Sequence, residues 1–317
     1  MKRLMLAVGA CALVAAAVAA WAGAGLEPAA TTTATPAAAE AEPTAAEARR
    51  RRIRLPALPR DIRTRRHFRV GVKCDVPPFG YIDIRQRNAG FDVDIARQFA
   101  RFAFRRPNAV RFECAPTPAR ELLLTSGRVD LVISTFTYTA DRDTRIDFSR
   151  AYYQATGRLL VRNNSPIRRL SDIRGRTVAT TSGSIYDRWV RRCFPTTNLQ
   201  VFDSFTNARL AFDQGRADTL MWDDTGVFGI AERDPSVRLT PDRFLAAPYA
   251  IGIRQGNRAL KRWTDAALNA MRRRDMFMPI LRRHVPSPNL SFYARSILRP
   301  RHNFNYVPGG DPTARCS

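Results

Sequence analysis

Beyond residue 67 the apolar positions follow two rhythms in turn, the alternation of a strand and the three-to-four-residue recurrence of a helix. Phe68, Val70 and Val72 alternate as a strand over residues 68–73, and Pro77-Pro78 breaks it. Phe91, Ile95, Phe99 and Phe102 then recur at helical spacing, with Asp92 and Asp94 near the positive end of that helix. Residues 110–112 read as a second strand, and a helix through residues 121–124 stops at Gly127. Residues 129–133 are apolar enough to form a strand buried on both faces. A second series has the same plan. Residues 177–180, 199–202 and 217–222 read as strands; Ser182-Gly183-Ser184 opens a helix through Trp189 and Val190, and residues 208–212 form another before Gly215. Such β-α-β-α-β orders imply right-handed crossovers and a mainly parallel sheet in each unit. A further strand at 250–253 and a helix over 260–271 follow both units. That helix is placed to return to the first unit, so the chain would cross between two α/β lobes twice.

The N-terminus carries no such pattern. Lys2-Arg3 precedes an apolar run over residues 4–25 with small residues at Ala20, Ala22 and Ala24, which reads as an export signal or a retained membrane anchor. Val8-Gly9-Ala10-Cys11 resembles a lipobox, but the apolar stretch before Cys11 is short, and Cys11 reads as filler in the signal. Residues 26–66 read as a flexible linker, first rich in Ala, Pro and Thr and then in Arg. Its arginine collar from Arg49 to Arg66 is suited to anionic lipid headgroups.

Composition narrows the chemistry. The chain has 317 residues and a net charge of +24, yet lysine occurs only at Lys2, Lys73 and Lys261. An arginine skew without a zinc-finger, RNP-like or helix-turn-helix signature reads as compositional bias, and nucleic acid is not an expected partner. The three histidines, His67, His284 and His302, are far apart. They offer no metal-ligand spacing and no Ser-His-Asp triad, and no phosphate-binding glycine loop occurs, so neither a metal nor a cofactor is expected. Cys74, Cys114, Cys193 and Cys316 contain no C-x-x-C, and in an oxidising compartment disulfides are the default. Cys74 and Cys114 each end a predicted strand and are the preferred pair, which leaves Cys193 with Cys316.

Eight short motifs occur in order along the folded part. They are Gly71-Val-Lys-Cys-Asp-Val-Pro-Pro-Phe79, Gly90-Phe-Asp-Val-Asp-Ile95, Gly127-Arg-Val-Asp130 and Thr135-Phe-Thr-Tyr-Thr-Ala-Asp-Arg142, then Ile146-Asp-Phe-Ser149, Asp172-Ile-Arg-Gly175, Thr181-Ser-Gly-Ser184 and Gly215-Arg-Ala-Asp218. Over residues 68–286 this series resembles the polar amino-acid family of bacterial extracellular solute-binding proteins, the receptors of ABC importers. The resemblance implies a type II periplasmic-binding-protein fold. Its lobe 1 would span residues 67–156 and 249–286, its lobe 2 residues 157–248, with 287–317 as a C-terminal tail. It also implies a monomer that closes about its hinge on an amino acid and passes it to a membrane permease.

The resemblance assigns roles that the chemistry supports. Arg142 matches the α-carboxylate clamp, where a guanidinium can make two parallel hydrogen bonds. Backbone N–H groups of Thr137 and Thr139 would assist from lobe 1, and those of Ser184 and Ile185, at a helix N-terminus, from lobe 2. Asp223 matches the ammonium-binding aspartate, although Asp224 beside it leaves the register open by one. Lys73 and Arg120 occupy positions that read the ligand's side chain, and two cations there suit aspartate or glutamate. Phe79, Phe136 and Tyr138 are candidate cleft walls; Tyr249 lies where the chain recrosses and is expected to pack in the hinge. Two other functions share the scaffold. One is a sensor that signals to a membrane protein. The other is a dehydratase, which needs a general acid in the cleft, and Asp223 is the only candidate. A binding protein without chemistry of its own is the expected reading.

Overall fold

The computed structural model describes residues 53–300 and 315–316. The export signal and most of the linker lie outside the described residues. The linker's last part is not extended: helix α1 (Arg60–Arg65) buries Ile62, and Leu58 packs into the same core. Leu58 lies just before the helix and Ile62 within it, two apolar residues that the surrounding arginines hide in the sequence.

The first α/β series follows. Strand β1 (Phe68–Val72) leads to a small antiparallel sheet of β2 (Asp75–Val76), β3 (Gly80–Ile82) and β4 (Asn88–Ala89). Helix α2 (Phe91–Phe104) turns Phe91, Ile95 and Phe99 into the core. Next come β5 (Val110–Cys114), α3 (Arg120–Thr125), β6 (Leu131–Ile133) and the single turn α4 (Ala140–Asp143). Strands β5, β1 and β6 pair in parallel.

Strand β7 (Ile146–Arg162) then runs for 17 residues. Beyond it lie β8 (Thr177–Thr181), α5 (Ile185–Cys193), β9 (Asn198–Phe202), α6 (Phe205–Asp213), β10 (Thr219–Asp223), α7 (Asp224–Ala231) and β11 (Val237–Leu239). Strands β9, β8 and β10 form the second parallel set. Strand β12 (Phe244–Arg254) returns, and α8 (Arg258–Arg273), α9 (Phe277–His284) and α10 (Ser287–Ala294) close the described order.

The main sheet runs β5-β1-β6-β12-β7-β10-β8-β9. Two parallel triplets therefore flank an antiparallel centre of β12 and β7. Early in β7, Ile146 and Asp147 pair with β12; later, Gly157 to Val161 pair with β10. Strand β12 begins opposite Gly157 and ends beside β6. These strands are the two crossings of a two-lobe α/β fold. Hydrophobic clusters fill each lobe, with Phe205, Ala208, Phe212, Leu220 and Trp222 forming the core around α6.

The described stretch of the tail, residues 287–300, for which the sequence suggests no role, packs as core. Phe292, Tyr293, Ile297 and Leu298 are buried, and the ring of Phe292 stacks on Phe228 of α7. The Gln154 N–H donates to the Ser296 carbonyl at 2.8 Å, so the tail binds the crossing strand β7. Disulfides join Cys74 to Cys114 and Cys193 to Cys316.

Candidate functional site

The ends of β6, β8 and β10 bring functional side chains to the gap between the lobes. This follows from parallel α/β topology, which gathers loops at the carboxyl ends of the strands. Thr139 caps α4 through Oγ1, which accepts the Arg142 N–H at 3.2 Å. The cap fixes Arg142, and only 2 % of that residue is exposed. Its Nη1 donates to the Thr137 carbonyl at 2.6 Å, and its Nη2 reaches across to the Gly183 carbonyl at 2.8 Å. Nε has no hydrogen-bond partner and lies 3.6 Å from Glu121 Oε1. Burial, followed by the charge of Arg120, draws the Arg142 pKa down to about 9. A cation so placed gains by meeting an anion.

Arg120 is buried at the start of α3. Its Nε donates to the Thr117 carbonyl at 3.1 Å, and Nη1 to the carbonyls of Thr135 at 3.1 Å and Ser134 at 3.3 Å. Burial lowers its pKa to about 10, while Asp223 acts in the opposite sense. The Phe136 ring lies under both guanidinium groups, 4.4 Å from Arg120 and 5.1 Å from Arg142. It is a cation–π platform and not a wall. Lys73 is fully buried, donates to Thr117 Oγ1 at 2.6 Å and lies 5.7 Å from the Trp222 ring centre. Burial, then Arg120, lowers its pKa to about 7.

Asp223 ends β10 opposite these cations. Its carboxylate accepts the Tyr186 hydroxyl at 2.5 Å and the Tyr249 hydroxyl at 2.6 Å. Burial raises its pKa and the two hydroxyls oppose that rise. Asp224 turns away and accepts the Thr156 N–H and hydroxyl, and of the two aspartates it is Asp223 that lines the cavity. Below the site, Asp92 accepts the Thr135 N–H at 2.9 Å and the Tyr152 hydroxyl at 2.9 Å. It thereby holds Thr135, whose φ of 43° is unusual for a β-branched residue.

Thr117, Arg120, Thr135, Thr137, Arg142, Ser184, Ile185, Tyr186, Trp222 and Asp223 line one cavity. Residues of both lobes meet closely over it, and the cavity is small. Among the described residues no group of three His, Cys, Asp or Glu side chains is arranged to hold a metal ion.

Several of the expected residues stand outside that lining or have their polar groups engaged in other ways. Lys73 lies behind Thr117, outside that lining. Thr139 caps α4 and does not line the cavity. The Ser184 N–H donates to the Thr181 carbonyl at 3.2 Å, so it is engaged within its own lobe. Phe79 is core, packed edge-on against Phe91, Tyr153 and Tyr249. Tyr138 is core against Phe148. Tyr249 packs in the crossing strands, and its hydroxyl also positions Asp223. Sequence reasoning missed Thr117, Thr135, Tyr186 and Trp222. The last two directly adjoin Ile185 and Asp223, and that adjacency was the available signal.

Two lobes joined by two crossing strands, with buried polar side chains from both around one cavity, define a binding protein that encloses its solute. Over residues 68–286 the chain matches the model for bacterial extracellular solute-binding proteins, family 3, and it belongs to that family. It is therefore a binding protein and not an enzyme. It is 33 % identical to the glutamine-binding protein of Geobacillus stearothermophilus, over 60 % of this chain and 74 % of that one. With the glutamate-binding protein GluB of Corynebacterium glutamicum the identity is 27 %, over 64 % and 72 %. The solute receptor for L-cysteine of Neisseria gonorrhoeae superposes with a TM-score of 0.69 at 27 % identity, covering 71 % of this chain and 92 % of that one.

Proposed function

We propose that this protein is an exported receptor for an amino acid with an acidic side chain, aspartate or glutamate, which it delivers to the permease of an ABC importer. One observation carries the reading: Arg120 and Arg142 line a buried cavity, Lys73 stands just behind it on Thr117, and among the described residues Asp223 is the one carboxylate in that lining. In this reading the ligand's α-carboxylate takes Arg142 and its ammonium takes Asp223. Arg120 and Lys73 then remain for a second carboxylate, while a basic side chain would meet two like charges. The small cavity corresponds to closed lobes, so entry requires the hinge to open, and closure is the shape a permease reads. The arginine collar would hold the receptor near an anionic membrane surface.

A second reading, a neutral amide side chain such as that of glutamine, is favoured by one feature. Nε and Nη1 of Arg120 already donate to three backbone carbonyls, which reduces what it offers a ligand. Titration calorimetry with L-glutamate, L-aspartate, L-glutamine and L-arginine separates the two. Tight binding of the acidic pair and none of arginine is expected; a preference for glutamine or arginine would overturn the acidic reading.

A further inference from the structure

Two residues of the first lobe are seated in the second. Val76, fully buried, belongs to the hydrophobic cluster of Phe205, Ala208, Phe212 and Trp222, far along the chain from its own lobe. Beside it, Asp75 Oδ2 accepts the Phe205 N–H at 2.9 Å and, more loosely, the Thr206 N–H at 3.5 Å. Those amides open α6 and have no partner within the helix, and the positive helix end favours a carboxylate. The segment is also held firmly on its own side. Cys74 is bonded to Cys114 at the end of β5, and β2 pairs with β3. A rigid two-residue projection therefore joins the lobes through one apolar and one charge-assisted contact.

We infer that Asp75 and Val76 form a closure latch, positioning residues that set how firmly the lobes stay shut without touching the solute. The inference rests on the reading of the protein as a closing receptor. Both contacts exist only when the lobes meet, so they stabilise the closed form and its bound solute alike. Lys73 lies two residues before Asp75, so one short segment carries both a site cation and the latch.

Calorimetry and stopped-flow dissociation with L-glutamate, L-aspartate and L-glutamine on Asp75→Ala and Val76→Ala test it, together with amide hydrogen exchange at the start of α6. Each variant should weaken every bound amino acid by roughly the same factor, about tenfold. The order of preference should be unchanged, and the loss should appear as faster dissociation. Asp75→Asn, which keeps an acceptor oxygen, should restore most of the affinity. Without amino acid, the Phe205 and Thr206 amides should exchange faster in Asp75→Ala than in the parent. An altered order of preference would place these residues against the solute and overturn the latch, as would unchanged dissociation and exchange. If the parent binds none of the panel, the receptor reading fails, and amide exchange alone decides: equal rates refute the latch.

Discussion

Arg142 bonds the Thr137 carbonyl of its own lobe, which orients its guanidinium before any ligand arrives, and the Gly183 carbonyl of the other lobe joins on closure. Arg142→Ala should abolish amino-acid binding, a loss of roughly 2–5 kcal/mol that leaves the ligand carboxylate unpaired. Calorimetry checks this, and circular dichroism should show an intact fold. Lys73 gives a second expectation at this scale. Its pKa in the free protein is lowered to about 7, and an anionic ligand would raise it again. Above that pH the complex holds more protons than the free protein, so affinity for glutamate should fall as pH rises from about 7 to about 9. Lys73→Met should be weaker throughout and show a flatter profile; a pH-independent parent would contradict this. That Arg142 and Asp223 line a buried cavity was legible because charged groups at motif positions have few other reasons to be buried. Phe79 and Tyr138 were misread because an aromatic at a strand end looks the same whether it faces a cleft or a core.

Among the elements, β7 was the least legible. Asp147, Arg150 and Gln154 interrupt its apolar pattern, and the burial of its flanks depends on β12, β10 and the tail, none of which is local. The short parallel strands were readable because they are buried on both faces and apolar throughout. Gly157 marks where β7 passes the site. A Cβ there would lie 2.8 Å from the Tyr186 ring and closer still to Phe244. Gly157→Ala should therefore cost about 1–3 kcal/mol by overpacking. It should also weaken binding, because Tyr186 would be pushed off Asp223. Thermal melting and calorimetry together test both consequences.

For the whole molecule, two α/β series predicted two lobes, but the tail's part in the fold was hidden. Its described aromatic residues are a single adjacent pair, Phe292 and Tyr293, and contact with α7 and β7 makes that stretch core. The Cys193–Cys316 bridge joins α5 to residues 123 positions away. Replacing both cysteines by serine should lower stability by roughly 2–4 kcal/mol, measurable by denaturant unfolding of the oxidised protein. The central claim concerns the orientation and charge of the enclosed solute, and a crystal structure of the protein grown with L-glutamate tests it most directly. The account predicts the α-carboxylate on Arg142, the ammonium on Asp223 and the side-chain carboxylate turned toward Arg120 and Lys73. A glutamate bound outside the cleft, or with its side chain directed away from both cations, would contradict it.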